Sequence, residues 1–187
     1  MLTPAELTRL AAIYSFWFEE LTPQDWFTSS DPLDEQIQSR FMDSYQYFKD
    51  MDLAEMDFTA QQVLSLILLL DQMPRNMFRG TPQAFATDAK ALELSYAALA
   101  RRLDLALPDI EKSFIYLPLE HSEDIKDQEL CVTLFQQRTT LELQTDYAVR
   151  HFKVISRFGR FPHRNAILGR PPTTEEESYL AEGGDAF

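Results

Sequence analysis

Six polar or helix-disrupting residues directly follow the most apolar stretch of the sequence. Seven of the eight residues in Val63–Leu70 are apolar, which is the pattern of a helix packed on several sides. Polar groups buried beside such a helix without partners would cost several kcal/mol each, so we expect them to meet partners or a ligand. With Pro74 as a helix breaker among them, the candidate ligand-binding residues of this segment are Asp71, Gln72, Arg75, Asn76 and Arg79.

A second polar segment, Pro118–Asp124, combines carboxylates with an imidazole. A carboxylate–histidine pair can act as a general base, so Glu120, His121 and Asp124 are candidate catalytic residues. Glu120, Asp124 and Gln128 also fall at four-residue steps and would share one helix face. A structural role for His121, as a hydrogen-bonded residue at a helix start, stays open. The sequence has no HExxH, CxxC or comparable ligand spacing, so we predict no metal site.

A third segment is basic within an acidic protein. The 28 residues between Asp146 and Glu175 contain no acid and hold six of the seventeen lysines and arginines. Arginine suits bidentate recognition of carboxylate or phosphate, which makes an anion site one interpretation. The alternative is that these arginines pair with Asp71, Glu120 and Asp124 and lock the loops to the helix ends. The candidate residues here are Arg160, Arg164 and Asn165 as ligand-binding positions and His163 as a catalytic one, with His151 one or two turns upstream.

Composition and charge exclude several classes of protein. The net charge of −13 disfavours binding to nucleic acid or to anionic lipid. The apolar run Val63–Leu70 is far shorter than the ~20 residues that a membrane span needs, and the N-terminus lacks the pattern of a signal peptide. A single cysteine, Cys131, excludes an internal disulfide. We therefore expect a cytoplasmic protein that binds neither nucleic acid nor membrane, and the sequence does not indicate its oligomeric state.

Known cofactor and nucleophile motifs are missing from the sequence. It contains no GxGxxG, no GxxxxGK[ST] and no GxSxG, so neither these nucleotide-binding loops nor a nucleophile elbow supports an activity. We predict no cofactor.

Capping residues and apolar spacing predict helices along the whole chain. Thr3–Glu6 is a capping box that starts a helix ending near Glu20, and Asp31-Pro32 starts a second helix. Thr59 caps the central helix, which we expect to end near Pro74 because proline clashes with the preceding turn. Asp88 is expected to cap the next helix.

The second half predicts four more helices. One begins at Pro108 and should break at Pro118, and the next ends near Gln137. A long helix runs from about Thr140 to Phe158, and Thr173 starts a short final one before Gly183-Gly184 releases the tail. The chain (1–187) is thus predicted to be a single all-α domain of seven to eight helices, with neighbours mostly antiparallel.

The same polar segments resemble a widespread family of small bacterial proteins of unknown function. The resemblance rests on FWF near the N-terminus, DQMPRNMFRGTPQAFATD, YLPLEHSED and RFGRFPHRNAILGR, and it extends from about Ile13 to Phe187. It implies a helical fold similar to tetratricopeptide-repeat proteins, either an α–α superhelix or an irregular bundle. It implies no activity.

Two functional interpretations and one architectural interpretation follow from these residues. In the first, the three polar segments converge at one end of the bundle and form a cleft for a small anionic ligand or an acidic protein segment. In the second, the protein is a hydrolase or transferase that acts on an anionic substrate with His163 or His121 as general acid or base. In the third, the polar motifs only hold the helices together.

Overall fold

The chain is all-helical in the ranges that the computed structural model describes, which are residues 2–28, 30–53 and 57–187. These ranges contain no strand, so the all-α prediction is confirmed. The α-helices are α1 Pro4–Ser15, α2 Asp31–Lys49, α3 Ala60–Ile67, α4 Met73–Met77, α5 Asp88–Ala100, α6 Asp109–Glu120, α7 Ile125–Arg138, α8 Glu142–Phe158 and α9 Thr174–Ala181. A π-helical turn, Leu68–Gln72, joins α3 to α4, so the described residues form eight helical rods.

Local capping chemistry explains where three helices begin. Thr3, Thr59 and Thr173 each accept a hydrogen bond from the third helical residue, whose side chain accepts one from the backbone N–H of the threonine in return. These reciprocal bonds satisfy N–H groups that have no partner within the helix.

The central helix α3 organises the core. Its residues Leu64, Leu66 and Ile67 and the following Leu68–Leu70 are fully buried, and α3 packs against α1, α5 and α6. Beyond α5, each helix packs against the next one as far as α8. Within the described ranges, no helix combines the length and apolarity needed to cross a bilayer.

The expectation that Pro74 ends the central helix is wrong. The chain passes through the π-helical turn into α4, which continues to Met77. Proline has no N–H to donate to the carbonyl four residues back, at Leu70. The Thr87 hydroxyl donates to that carbonyl instead, at 2.5 Å, and the wider π turn accommodates the altered bonding. The continuing helix therefore places Asp71 and Arg75 after the most apolar segment of the core.

Pro118 does not break its helix either. It lies inside α6, which continues to Glu120. The hydroxyl of Ser95 on α5 donates to the Ile115 carbonyl at 2.5 Å, and the Cys131 thiol of α7 donates to the Tyr116 carbonyl at 3.6 Å. Neighbouring helices thus support the turn that proline weakens, and the extra turn places Glu120 and His121 at the end of α6.

Two smaller expectations also need correction. Thr87, not Asp88, holds the N-cap position of α5, and the Asp88 carboxylate receives the Arg75 guanidinium instead. Gly183 and Gly184 do not release the chain, because Gly183 adopts a positive φ of 83° and turns residues 185–187 back toward α8.

Candidate functional site

The three polar segments meet at one end of the helices. Asp71 contacts His121, and the Arg164 guanidinium donates to the His121 carbonyl at 3.0 Å. Glu123 accepts hydrogen bonds from Arg170 at 2.7 and 3.0 Å. The end of the central helix, the end of α6 and the loop after α8 therefore form one polar cluster, as the first interpretation of the sequence expects.

Asp71 is the fully buried centre of this cluster. Oδ1 of Asp71 lies 2.8 Å from Nδ1 of His121 and 3.5 Å from Nη1 of Arg75, and the Gln72 amide donates to its Oδ2 at 2.5 Å. Burial by itself opposes ionisation, but Arg75 and His121 outweigh it and hold the pKa of Asp71 well below its ordinary value. Asp71 is therefore a carboxylate that fixes both of these neighbours.

His121 is held in one tautomer by this carboxylate. A carboxylate can only accept, so Nδ1 carries the proton and Nε2 is the basic nitrogen of the neutral ring. Burial and the positive charge of Arg75 lower the pKa of His121, and Asp71 offsets only part of this effect. The imidazole is consequently neutral at pH 7, with an oriented lone pair on Nε2.

Arg75 and Arg164 approach the same carboxylate, Asp88. Arg75 donates to Asp88 through Nη1 at 3.2 Å and Nη2 at 3.1 Å, whereas Nη1 of Arg164 is 3.9 Å away from it. Burial raises the pKa of Asp88 despite Arg75. Asp88 thus pairs closely with Arg75 and only loosely with Arg164.

Arg164 is a buried cation whose hydrogen-bonding capacity is only partly used. Its side chain is 8% exposed and lies between the rings of Phe85 and Phe161, with Cζ 4.9 and 4.3 Å from their centroids. Its Nε atom has no hydrogen-bond partner in the part of the chain that the structure describes. Burial, together with Arg75, lowers the pKa of Arg164 to about 10. Such a cation is suited to accept an anionic group.

A pocket of 260 Å³ opens beside these groups. Its polar wall includes His121, Arg164 and Asp88, and its apolar wall comes from Leu92, Pro118 and Leu168 among others. Ala89, in the first turn of α5, also lines it. The pocket is slightly smaller than the roughly 300–1,000 Å³ of typical ligand sites, and it combines apolar walls with a few polar groups as such sites do.

Glu123, not Asp124, is the acid that joins the second segment to the third. Its carboxylate accepts from the Phe161 backbone N–H at 2.7 Å as well as from Arg170. Burial opposes ionisation, but Arg170 and the Phe161 N–H prevail and lower the pKa of Glu123. Asp124 is exposed and caps α7 by accepting from the Lys126 N–H at 2.8 Å. The expectation that Asp124 orients an arginine is therefore wrong.

Four predicted ligand-binding residues lie in ion pairs or hydrogen bonds and do not line the pocket. Asn76 donates to Asp34 at 2.7 Å and Arg79 donates to it at 2.6 and 2.8 Å, which fastens α4 to α2. Arg160 pairs with Glu176 of α9 at 2.6 and 2.7 Å rather than with Asp71, Glu120 or Asp124. The buried Asn165 accepts from Arg170 at 2.9 Å and so supports the loop that carries Arg164.

Glu120 points to a second histidine. Oε1 of Glu120 lies 3.4 Å from Nδ1 of His151, which also donates to the Tyr147 carbonyl at 2.9 Å. Burial raises the pKa of Glu120 to about 8, and the charge of Asp71 adds to the effect. Burial lowers the pKa of His151 to about 2 and that of His163 to about 4. Acid and imidazoles are thus neutral at pH 7.

Sequence reasoning missed the roles of several residues. Asp88 pairs with Arg75, and Glu123 pairs with Arg170. Gln128 caps the end of α6 by donating to the carbonyls of Leu119, Glu120 and Ser122 at 3.2, 2.6 and 2.7 Å. The four-residue step from Glu120 to Gln128 is the one signal that pointed to the last of these. Among the described residues, no three His, Cys, Asp or Glu side chains are placed to hold a metal ion.

Fold and site together define an all-helical protein with a carboxylate–histidine pair beside a small pocket. Residues 13–184 match the bacterial proteins of unknown function DUF924, and the chain belongs to this family. It is also similar to a solved structure of a protein of unknown function from Agrobacterium tumefaciens, with 38% identity and a TM-score of 0.85. That likeness covers 95% of this chain and 99% of the other. A search of curated proteins gives no match.

Proposed function

We propose that the protein is a hydrolase or transferase for a small anionic substrate, with His121 as general base. The observation that carries this proposal is the 2.8 Å contact between Asp71 and Nδ1 of His121 at the wall of the 260 Å³ pocket. A base oriented by a buried carboxylate and neutral at pH 7 is the arrangement that general-base catalysis needs. His163, the other candidate base, is not among the described residues that line this pocket.

In the hydrolytic reaction, His121 would take a proton from water at Nε2. The water oxygen then forms a bond to the electrophilic carbon or phosphorus of the substrate, and the bond to the leaving group breaks. The imidazolium returns the proton to that leaving group. Asp71 stabilises the transient imidazolium, because the two groups then carry opposite charges in a buried site. A transferase would use an acceptor hydroxyl or amine in place of water.

The anionic character of the substrate follows from Arg164. Its guanidinium lines the pocket, lies 3.9 Å from Asp88 and keeps one buried N–H without a partner among the residues described. A phosphate or carboxylate in the pocket would balance this guanidinium charge, which Asp88 balances only loosely, and would lie near the first turn of α5. The wall of Leu92, Pro118 and Leu168 would take an apolar portion of the same molecule.

Turnover of two chromogenic esters tests the proposal. The substrates are 4-nitrophenyl phosphate and the mono-4-nitrophenyl ester of glutaric acid, which present a phosphate and a carboxylate respectively. We expect His121→Gln to lower kcat by about 100-fold or more and Arg164→Lys to raise KM by about 10-fold. Arg160→Lys is the matched control, because that arginine pairs with Glu176. Wild-type hydrolysis of both esters at the level of His121→Gln would overturn the proposal.

Anion binding without turnover is the second candidate, and the loose pairing of the buried Arg164 with Asp88 favours it. A small anion or an acidic protein segment would then be the ligand. Thermal unfolding with phosphate, nucleotides and carboxylates tests for such binding, since a ligand at ~100 times its Kd should stabilise by about 2.7 kcal/mol. Stabilisation that is lost in Arg164→Lys, in a protein that hydrolyses neither ester, would favour the binding module over the enzyme. The succession of packed helices α5 to α8 supports a superhelix similar to tetratricopeptide-repeat proteins as the scaffold in either case.

A further inference from the structure

Residues 183–187 follow a defined path after α9. Gly184 N–H donates to the Tyr179 carbonyl at 2.9 Å and Gly183 N–H to the Leu180 carbonyl at 3.2 Å. With Gly183 at positive φ, these bonds form a Schellman turn. A Cβ atom on Gly184 would lie 2.5 Å from the Tyr179 ring, so the chain approaches this ring as closely as only glycine allows. The turn aims the last three residues at α8.

These three residues make an acidic and an aromatic contact with α8. Asp185 accepts from Nε of Arg150 at 3.0 Å, and its backbone N–H donates to the Tyr179 hydroxyl at 2.8 Å. The Phe187 ring stacks on His151, with centroids 3.4 Å apart and planes 20° from parallel. The segment Asp185–Phe187 therefore binds like a short peptide with an acidic residue two positions before an aromatic one.

The surface under Phe187 is more polar than a phenyl ring requires. His163 and Phe161 surround the ring, at 6.1 and 6.3 Å between centroids. Glu120, which is 4% exposed, lies behind His151, and its Oε2 finds no hydrogen-bond partner within the described ranges. The same holds for Nδ1 of His163. Unpartnered polar atoms in a buried site are costly, and phenylalanine cannot satisfy them.

We propose that this surface of α8 is a peptide-binding site that recognises Asp-x-Phe or Asp-x-Tyr, and that residues 185–187 occupy it within the chain. Arg150 recognises the aspartate, and His151 stacks on the aromatic ring. A tyrosine ring can stack on His151 in the same way. The site is separate from the pocket that His121 and Arg164 line, so the proposal does not depend on the enzymatic activity.

A peptide in solution must displace the segment of the chain itself. A short tether keeps its ligand at an effective concentration in the mM range, so the intact chain should bind such peptides weakly. Removing residues 185–187 leaves the Schellman turn in place and exposes the site. The truncated chain should therefore bind an added peptide at least about 10-fold more tightly than the chain that keeps residues 185–187.

Isothermal titration of both chains with two amidated peptides, acetyl-Asp-Ala-Phe and acetyl-Asp-Ala-Tyr, tests this inference. We expect both peptides to bind the truncated chain. Neither should bind the truncated chain that also carries Arg150→Gln, because Arg150 is the residue that pairs with the aspartate. Acetyl-Asn-Ala-Phe is the matched control, because only the carboxylate is changed. Asp185→Asn combined with Phe187→Ala, in the chain that keeps residues 185–187, repeats the test without truncation. Equal affinity for the aspartate and asparagine peptides would overturn the proposal. So would a failure of the peptides to bind both the truncated chain and the Asp185→Asn, Phe187→Ala variant.

Discussion

Asp71 and His121 are fifty residues apart in sequence, yet Nδ1 of His121 lies 2.8 Å and 3.0 Å from the two carboxylate oxygens of Asp71. The contact joins the π-helical turn of the central helix to the C-terminal end of α6. It holds the fold together and also fixes the imidazole beside the pocket. A structural role and the proposed chemical role therefore fall on the same pair, and each can be tested separately.

Replacing Asp71 by asparagine should destabilise the protein strongly. The amide keeps the shape of the carboxylate but removes the charge that Arg75 and His121 face in a fully buried position. Breaking a buried charge pair costs about 3–5 kcal/mol, and Asp88 still pairs with Arg75, so we expect the lower end of this range. Urea unfolding of Asp71→Asn against wild type measures it.

Asp34→Asn is the control for that measurement. Asp34 also pairs with an arginine, Arg79, but that arginine is 43% exposed. Exposed ion pairs contribute about 0–1 kcal/mol, so this variant should lose much less. Equal losses in the two variants would contradict the central role given to Asp71.

Glu120 should make stability depend on pH in a specific direction. Its pKa in the folded protein is about 8, against an ordinary 4.5, so the folded state keeps a proton that the unfolded state releases between these values. The contribution of Glu120 to the free energy of unfolding should therefore be greatest below pH 4.5 and be lost as pH rises toward 8. The expected loss is about 1 kcal/mol per pH unit, measured as unfolding free energy between pH 6.5 and 7.5.

The comparison with Glu120→Gln isolates this effect. His151 and His163 have lowered pKa values, so their contribution to stability is lost as pH falls below 6.5. This loss occurs in both wild type and Glu120→Gln. The difference between wild type and variant should therefore follow Glu120. A difference that does not change between pH 6.5 and 7.5 would show that Glu120 is ionised in the folded protein.

Gln128 should anchor the end of α6. It is fully buried, and its amide serves three carbonyls around Glu120. Gln128→Met keeps the side-chain length but leaves the carbonyls of Glu120 and Ser122 without this donor, at a cost of about 1–3 kcal/mol. Thermal unfolding measures the loss, with the exposed Gln137→Met as control. Hydrogen exchange at the Ser122 amide should also accelerate, and unchanged exchange there would argue against the anchoring role.

Much of the fold could be predicted from local sequence, because helix caps depend on residues three apart. The helix starts predicted at Thr3, Thr59 and Thr173 were confirmed on this basis. The continuation of α3 through Pro74 could not be predicted in the same way, since it depends on a hydroxyl from Thr87 and on a π turn. Local rules describe what proline removes but not what a distant side chain restores.

The site was predictable as a region but not in its pairings. Shared polarity was enough to expect that Asp71, His121 and Arg164 lie at one end of the protein. Polarity could not decide which of the adjacent acids, Glu123 or Asp124, pairs with an arginine. The geometry of the turn before α7 directs Glu123 toward Arg170 and Asp124 toward solvent. Pairing partners depend on side-chain direction, which sequence spacing does not specify at a helix end.

Nitrogen NMR of His121 tests the role proposed for this histidine. In protein labelled with ¹⁵N at histidine, we expect a neutral ring at pH 7 with the proton on Nδ1 and a pKa below the ordinary value of 6.5. Inorganic phosphate should shift the His121 signals in wild type but not in Arg164→Lys. A ring with its proton on Nε2, or one that is charged at pH 7, would contradict the proposal, because Nε2 would then carry a proton and could not act as the base.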